Sequence, residues 1–442
     1  MFKFLAKRPI LFLALFFLAI ISLGTFFLKL PQAALGEVSF LDALFTATSA
    51  ATVTGLVVRN TALDFTLFGQ AVILFLIQIG GLGIVTGAAF VFLIFKRVGI
   101  STGAGLKAIL EEDYIPDVKK TTIFIVLSTI VLEMIGAILL FLWWRKDFPD
   151  VGSAVFSSVF HAVSAFTNAG FSVFENNLEN FRGDIFTNAV VAMLIVSGGI
   201  GFLVLSNLHK KISSFLQGKR YNLSVYSKIV LIASLVLILT GAAMFWFLES
   251  ENLSHLPSKD MLLTSLFQSI TARTAGLNTI DIAQLTGSTH LLLIFLMFVG
   301  GAPASVAGGV KIVTLFLIFL AAVSFFRREK NIVLWKRTIP RSLLRNVLVL
   351  VSVYLFFCFA VLMLLLYTEK GNFEGFLFEV FSATGTVGLS VGITPYLTGM
   401  GKVLIIISMF VGRLLPLSLA IIGSREMAKT KIVYPEEKII LG

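Results

Sequence analysis

The chain has 442 residues, a formal net charge of +11, and 57% hydrophobic against 13% charged residues. Soluble domains carry about 25% charged residues, so this balance excludes a water-soluble globule and selects a membrane protein. The single cysteine, Cys358, excludes an intrachain disulfide and a cysteine metal cluster, and the four histidines (161, 209, 255, 290) lack ligand spacing.

Taken in chain order, the pattern predicts an all-α membrane protein of four pseudo-symmetric units. Each unit reads as an outer spanning helix, a short re-entrant helix, a polar loop and an inner spanning helix. The outer helices are expected at about 9–30, 121–144, 224–249 and 341–368. Met1 to Leu30 reads as a retained first helix, because its apolar run is too long for the core of a signal peptide. The segments 40–51, 153–166, 259–272 and 373–383 are too short to span and suit re-entrant helices. Inner helices at about 68–95, 185–209, 290–327 and 400–425 bring the expectation to eight spans with both termini on one side. The unit boundaries fall at 1–110, 111–220, 221–337 and 338–442, the last including a C-terminal tail.

One short motif follows each re-entrant segment: Thr52-Val53-Thr54-Gly55, Thr167-Asn168-Ala169-Gly170, Arg273-Thr274-Ala275-Gly276 and Thr386-Val387-Gly388. The glycines are 115, 106 and 112 residues apart, a near-fixed period that marks repeated structural units. Phe45, Phe160 and Phe378 each precede their glycine by ten residues, and Phe267 precedes its own by nine. Non-helical backbone at membrane depth survives only where it is buried in protein or lines water, so the four loops should face one another. Glycine permits φ > 0 and lets carbonyls turn to a common axis, where they can replace the water shell of a cation. Threonine adds an oxygen on a stiff stem. One such loop alone reads equally well as an ordinary turn; four in register point to an ion path.

A second register runs through the inner helices: Gly80-Gly81, Gly198-Gly199, Gly300-Gly301 and Gly412-Arg413, small residues that let backbones approach closely. The third inner segment, 290–327, would be about 57 Å long as one helix, nearly twice the roughly 30 Å hydrocarbon core. Its middle, Gly300-Gly301-Ala302-Pro303-Ala304-Ser305-Val306-Ala307-Gly308-Gly309-Val310-Lys311, should break it in two. Two readings stand for that break: a hinged plug under the loops, or a kink with a small-residue packing face. Arg413 costs about 2.5–3.5 kcal/mol to place at this depth, so it should face the ion path as an electrostatic barrier or make a structural ion pair. Glu133 and Glu379 are the acids expected at membrane depth.

Twenty-four of the 35 Lys and Arg fall at the chain ends and in the loops after each unit, and eight on the opposite side. The positive-inside rule then puts both termini in the cytoplasm, and the basic surplus requires no nucleic acid.

With these features assembled, the chain resembles the Trk/Ktr/HKT superfamily of cation transporters, and within it the Ktr membrane subunits. The stretches that carry the resemblance include Asp42 to Ala47, Thr52 to Leu56, Gln78 to Gly83, Asn168 to Phe171, Arg273 to Gly276, Gly385 to Leu389 and Met409 to Arg413. The resemblance covers nearly the whole chain. It implies a homodimeric bacterial potassium uptake subunit in the inner membrane, with one pore per protomer and a cytosolic ring of nucleotide-binding RCK subunits docked on its inner face. It makes the four loops a selectivity filter for potassium, the ion sitting at Thr52, Thr167, Gly55, Gly170, Gly276 and Gly388; glycine at all four key positions favours potassium over sodium. It makes Gly300 to Gly309, with Lys311 and Arg413, an intramembrane gate, and Tyr434-Pro435-Glu436-Glu437 a tail buried at the dimer and regulator interfaces. Ala302 and Pro303 depart from relatives richer in Ser and Thr. Two mechanisms fit: gated permeation driven by the membrane potential, and symport coupled to sodium or protons. No nucleophile or metal cluster points to an enzyme, and no organic cofactor is expected.

Overall fold

The computed structural model describes residues 9–96, 118–329, 331–335 and 337–423. The basic residues Lys3, Lys7, Arg8, Arg97 and Lys107, the 110/111 unit boundary and the tail 434–437 lie outside the described residues.

Set out along the four expected units, the first holds α1 (Pro9–Leu28), α2 (Phe40–Ala51) and α3 (Leu67–Lys96). The second holds α4 (Val118–Trp144), α5 (Val151–Thr167), α6 (Ile185–Gly199) and α7 (Phe202–Leu216). The third holds α8 (Val225–Glu249), α9 (Ser258–Thr271), α10 (Gly287–Phe298) and α11 (Ile312–Phe326), and the fourth α12 (Arg341–Thr368), α13 (Phe373–Gly385) and α14 (Gly399–Gly423).

Among the described residues, five helices are long and apolar enough to cross a membrane: α1, α4, α8, α12 and the 399–416 part of α14. Leu15, Phe26, Leu127, Met134, Leu239, Phe247, Phe356 and Met363 on these helices are exposed, which makes an apolar outer belt for lipid. These five helices account for five of the eight expected spans. The second inner helix is bent by 108° between α6 and α7, giving at most a sixth span. The bend falls at Gly201, where φ is +85° and the helix cannot continue. The third inner helix is broken, as its glycines and proline require, into α10 and α11. The chain is also not purely helical: β1 (Ile332–Leu334) and β2 (Arg337–Ile339) form an antiparallel hairpin after α11, pairing Ile332 with Ile339.

Three of the four short helices that precede the loops start on side-chain caps; the third in chain order, α9, follows Pro257, which has none. Ser39 accepts from the Asp42 amide, Asp150 from Ser153 and Asn372 from Gly375, each satisfying a first-turn donor.

The phenylalanine that precedes each loop is fully or almost fully buried, and it packs into the core of the unit before its own. Phe160 of α5 joins Ala47, Val53 and Ile73. Phe267 of α9 joins Phe166, Leu194 and Ile195. Phe378 of α13 joins Leu293, Leu296 and Met297, and Phe45 of α2 closes the circle with Val380, Tyr354 and Met409. Burying one such ring is worth about 1.5–3 kcal/mol, so four of them stitch the units together around a centre. The ends are joined by charge as well: Asp42 of α2 accepts from Lys402 Nζ of α14 at 2.7 Å and from Arg59 Nε at 3.3 Å.

Candidate functional site

All four loops share one backbone device. In each, two residues separated by one have positive φ: Val53 and Gly55, Asn168 and Gly170, Thr274 and Gly276, Thr386 and Gly388. The left-handed region strongly disfavours β-branched Val53, Thr274 and Thr386, so the surroundings must hold them there. A hydroxyl residue four positions after each buried phenylalanine does so. Ser49 Oγ accepts from the Gly55 amide and Ser382 Oγ from the Gly388 amide, both at 3.1 Å. Ser164 Oγ donates to the Phe171 carbonyl at 2.6 Å and Thr271 Oγ1 to the Leu277 carbonyl at 2.5 Å. These hydroxyls stand six residues before the glycine in three units and five in the third. The shortfall noted at Phe267 therefore lies between Thr271 and Gly276, inside the loop. The sequence motif stopped at the loop and missed these four supports; a hydroxyl at constant distance from the phenylalanine was the signal.

The loops meet in a closed ring. A Cβ on Gly55 would stand 2.6 Å from the Ala169 carbonyl oxygen, and one on Gly170 would stand 3.1 Å from that of Ala275. A Cβ on Gly276 would strike the Val387 carbonyl, and one on Gly388 the Thr54 carbonyl. Each glycine thus abuts the residue just before the next glycine, and the fourth returns to the first. At Gly55, Gly276 and Gly388 an added Cβ would force the backbone apart, while at Gly170 the neighbour would have to give by a few tenths of an ångström. The Thr52 hydroxyl donates to the Thr48 carbonyl at 2.7 Å and accepts from the Thr54 hydroxyl at 2.8 Å, and that of Thr167 donates to the Val163 carbonyl at 2.6 Å. Among the described residues, the buried hydroxyl oxygens of Thr274 and Thr386 have no partner. Arg273 is buried at the base of its loop with Nε unpartnered, and as a donor-only side chain it can offer a cation nothing but its carbonyl.

One face of the ring opens into a cavity of about 240 Å³ lined by Gly55, Gly170, Gly276 and Gly388. Among the described residues its charged lining is Glu175 and Asp281, with no Lys or Arg. Beside it, Asn278 donates to Glu179 Oε1 at 3.2 Å. Burial, and then the negative charge of Asp281, push the Glu179 carboxyl above the usual range. A concave, net-negative mouth concentrates cations.

The other face is covered by the segment between α10 and α11. Its residues Gly300 to Ala302 and Ser305 to Val310 are buried, while Pro303 and Ala304 are half-buried. Its ends are laced together by Gly300 N to Val310 O at 2.8 Å and Ile312 N to Gly301 O at 3.1 Å. Gly308 packs so tightly beneath Gly385 and Thr386 that a Cβ there would clash with both. Gly309 has φ +66°, and Ser305 Oγ bonds the Ala302 carbonyl at 2.6 Å. Two cations clamp consecutive carbonyls: Arg413 Nη1 to Val306 O at 2.6 Å and Lys311 Nζ to Ala307 O at 2.7 Å. Arg413 Nη2 also reaches the Gly80 carbonyl at 3.4 Å. Among the described residues, Arg413 therefore bonds backbone carbonyls and makes no ion pair.

The inner-helix glycines do what close packing requires in three cases. A Cβ on Gly80, Gly198 or Gly412 would collide with the carbonyl of Ala51, Phe166 or Thr384 at the end of the adjacent short helix. Gly300 instead abuts Gly308, because its segment doubles back. The two acids at depth stay off the ring. Glu379 accepts from Ser390 and Thr394 behind the fourth loop, and Glu133 accepts from Gln78 at 3.0 Å between α4 and α3. His161 is buried, with Nδ1 on the Ser157 carbonyl and Nε2 on the Ser172 hydroxyl.

A ring of main-chain oxygens in an apolar bundle, with a negative mouth and a basic segment behind it, is the anatomy of a membrane protein that passes cations. Residues 5–433 match the TrkH cation transport protein family, and the chain belongs to it, among transporters rather than enzymes. The Ktr system potassium uptake protein B of Bacillus subtilis is 37% identical, covering 100% of this chain and 98% of its own length. That of Vibrio alginolyticus is 35% identical over 96% of this chain and 93% of its own length. The potassium/sodium uptake protein NtpJ of Enterococcus hirae is 35% identical over 98% of this chain and 97% of its own. Among solved structures, the potassium transporter TrkH of Vibrio parahaemolyticus superposes with a TM-score of 0.72 at 20% identity, over 92% of this chain and 83% of that one, a likeness of fold.

Proposed function

We propose that this chain takes up potassium across the cytoplasmic membrane through one central pore. The observation that carries the reading is the closed ring of four glycine loops, in which carbonyls from every unit come to one place. In this reading Thr52 to Gly55, Thr167 to Gly170, Arg273 to Gly276 and Thr386 to Gly388 form the filter, the segment Gly300 to Lys311 is the gate, and Arg413 holds it. The four-unit division at 110, 220 and 337 and an eight-span count, taking the bent and broken helices as one span each, belong to the same proposal. So do cytoplasmic termini, a homodimer and a nucleotide-binding RCK ring on the basic face; the names of the Ktr relatives support a multi-subunit system. Burial of Val306 to Val310 below the ring supports an occluding role for the loop.

Symport is the second reading, since one relative is named for both potassium and sodium. The positions of Glu133 and Glu379, both tied up away from the ring, favour permeation instead.

The test is growth of a potassium-uptake-deficient bacterium at low external potassium, with this chain alone and with a co-expressed RCK subunit. Rescue that the RCK subunit enhances is expected. A well-expressed chain that restores no growth in either case overturns the proposal. In vesicles, removing residues 302–309 should raise flux; a folded deletion variant with no flux would refute the gate.

A further inference from the structure

The bend at Gly201 sends α7 away from the bundle, and its level is fixed by its neighbours. His209 lies against Phe124, in the second turn of α4, at 6.0 Å between ring centroids. Tyr221 bonds Asn207 at 2.8 Å, and Ser224 caps α8, the next span, three residues later. The helix is therefore bracketed by the basic ends of two spans and lies at the membrane boundary, turned 108° from α6. Its faces suit that place. At 100° per residue, Leu205, Leu208, Ile212, Phe215 and Leu216 share one side, and Ile212, Phe215 and Leu216 are exposed. Exposed Lys210, Lys211, Lys219 and Arg220 supply the polar side and the following turn. No Asp or Glu occurs between Asp184 and Glu249.

From this geometry we infer that α7 and the turn after it are a docking surface for anionic phospholipid of the inner leaflet. Phe215 and its neighbours enter the acyl boundary while the four cations meet headgroup phosphates. The surface is joined directly to the loop under the ring. The Phe202 amide, first in α7, donates to the Ala304 carbonyl at 3.1 Å, and the Gly199 carbonyl accepts from the Ala302 amide at 2.9 Å. Tyr226, at the start of α8, donates to the Pro303 carbonyl at 3.0 Å. Lipid that pins α7 therefore pins Ala302 to Ala304 and keeps the loop seated. This regulatory consequence rests on the gate reading above; the lipid contact does not.

Two measurements test it in vesicles of phosphatidylcholine alone and of equal parts phosphatidylcholine and phosphatidylglycerol. A fluorophore on Phe215→Cys, with native Cys358 buried, should be quenched by spin-labelled lipid. An unquenched probe overturns the lipid contact and points to water, a second copy or a regulator as what covers α7. Potassium flux should fall about threefold or more with phosphatidylglycerol, and the K210Q/K211Q/K219Q/R220Q variant should lose that sensitivity. Wild-type flux indifferent to phosphatidylglycerol, or undiminished sensitivity in the variant, overturns the coupling. A quenched probe with no flux in either lipid supports the lipid contact and removes the permeation reading.

Discussion

Replacing Gly55 by alanine tests the ring most directly. Gly55 has φ +98°, and the added carbon would sit 2.6 Å from the Ala169 carbonyl oxygen. Ordinary contact begins near 3.4 Å, so that oxygen or the loop must retreat by about 0.8 Å. The backbone conformation itself costs a residue with a Cβ roughly 1–2 kcal/mol. Both strains relax by rotating the peptides that the proposal assigns to the filter. A loss of one to two kcal/mol there corresponds to about a 5–30-fold change in equilibrium. The K+ over Na+ preference of Gly55→Ala should drop about tenfold, read as rubidium tracer uptake into vesicles competed by each ion. Gly170→Ala is the built-in comparison. Its carbon would stand 3.1 Å from Ala275, needing about 0.3 Å of retreat, so its effect should be smaller. Equal thermal unfolding of variants and wild type separates this from misfolding. Unchanged preference in a folded Gly55→Ala, or a larger effect at Gly170, would refute the ring as the site of discrimination.

Arg413→Ala removes the bonds to Val306 and Gly80 and should raise flux several-fold in vesicles; unaltered flux would leave it no part in holding the loop. Ser49→Ala strands the buried Gly55 amide at a cost of about 1–3 kcal/mol, and potassium preference should weaken while Ser22→Ala, on the exposed side of α1, changes nothing. Burial and Asp281 raise the Glu179 carboxyl, so it gains a proton before an ordinary carboxylate as external pH falls. The mouth then loses negative charge, and apparent potassium affinity should weaken earlier on acidification than in Glu179→Gln; superimposable pH profiles would exclude Glu179 from the mouth field. Stability runs the other way: the penalty of the charged form is absent below the ordinary carboxylate value, grows as pH rises from there to the raised value, and is complete above it.

Apolar length and glycine placement made the helices of the first, third and fourth units legible, since Arg341–Thr368 and Phe40–Ala51 fall where hydrophobicity and punctuation put them. The break in the third inner helix was legible because proline and four glycines leave no alternative. The bend at Gly201 was not, because Gly198-Gly199 reads as a packing face and the nearby Gly201 adds no proline. The hairpin after α11 escaped notice because three-residue strands carry too little alternation to register. At the site, spacing pointed to four matching loops but not to the hydroxyls that hold them. Ser49 and Ser382 accept from loop amides while Ser164 and Thr271 donate to loop carbonyls, each across six or seven residues, and no local propensity encodes that. The buried phenylalanines were visible as a period; that each belongs to its neighbour's core is a property of the closed circle, not of any segment.

The contact between the first and fourth loops carries a cost in biogenesis. Thr54 meets Gly388, so 334 residues (388 − 54) must leave the ribosome before the first loop acquires its final neighbour. At about 5–20 residues per second that interval is on the order of half a minute. Throughout it, main-chain groups of the nascent first loop sit at membrane depth without the partner that shields them, each at a penalty of several kcal/mol in lipid. Newly inserted chains therefore need shelter at the insertion machinery until the last hairpin arrives, and truncations before Gly388 should be cleared by quality control rather than accumulate.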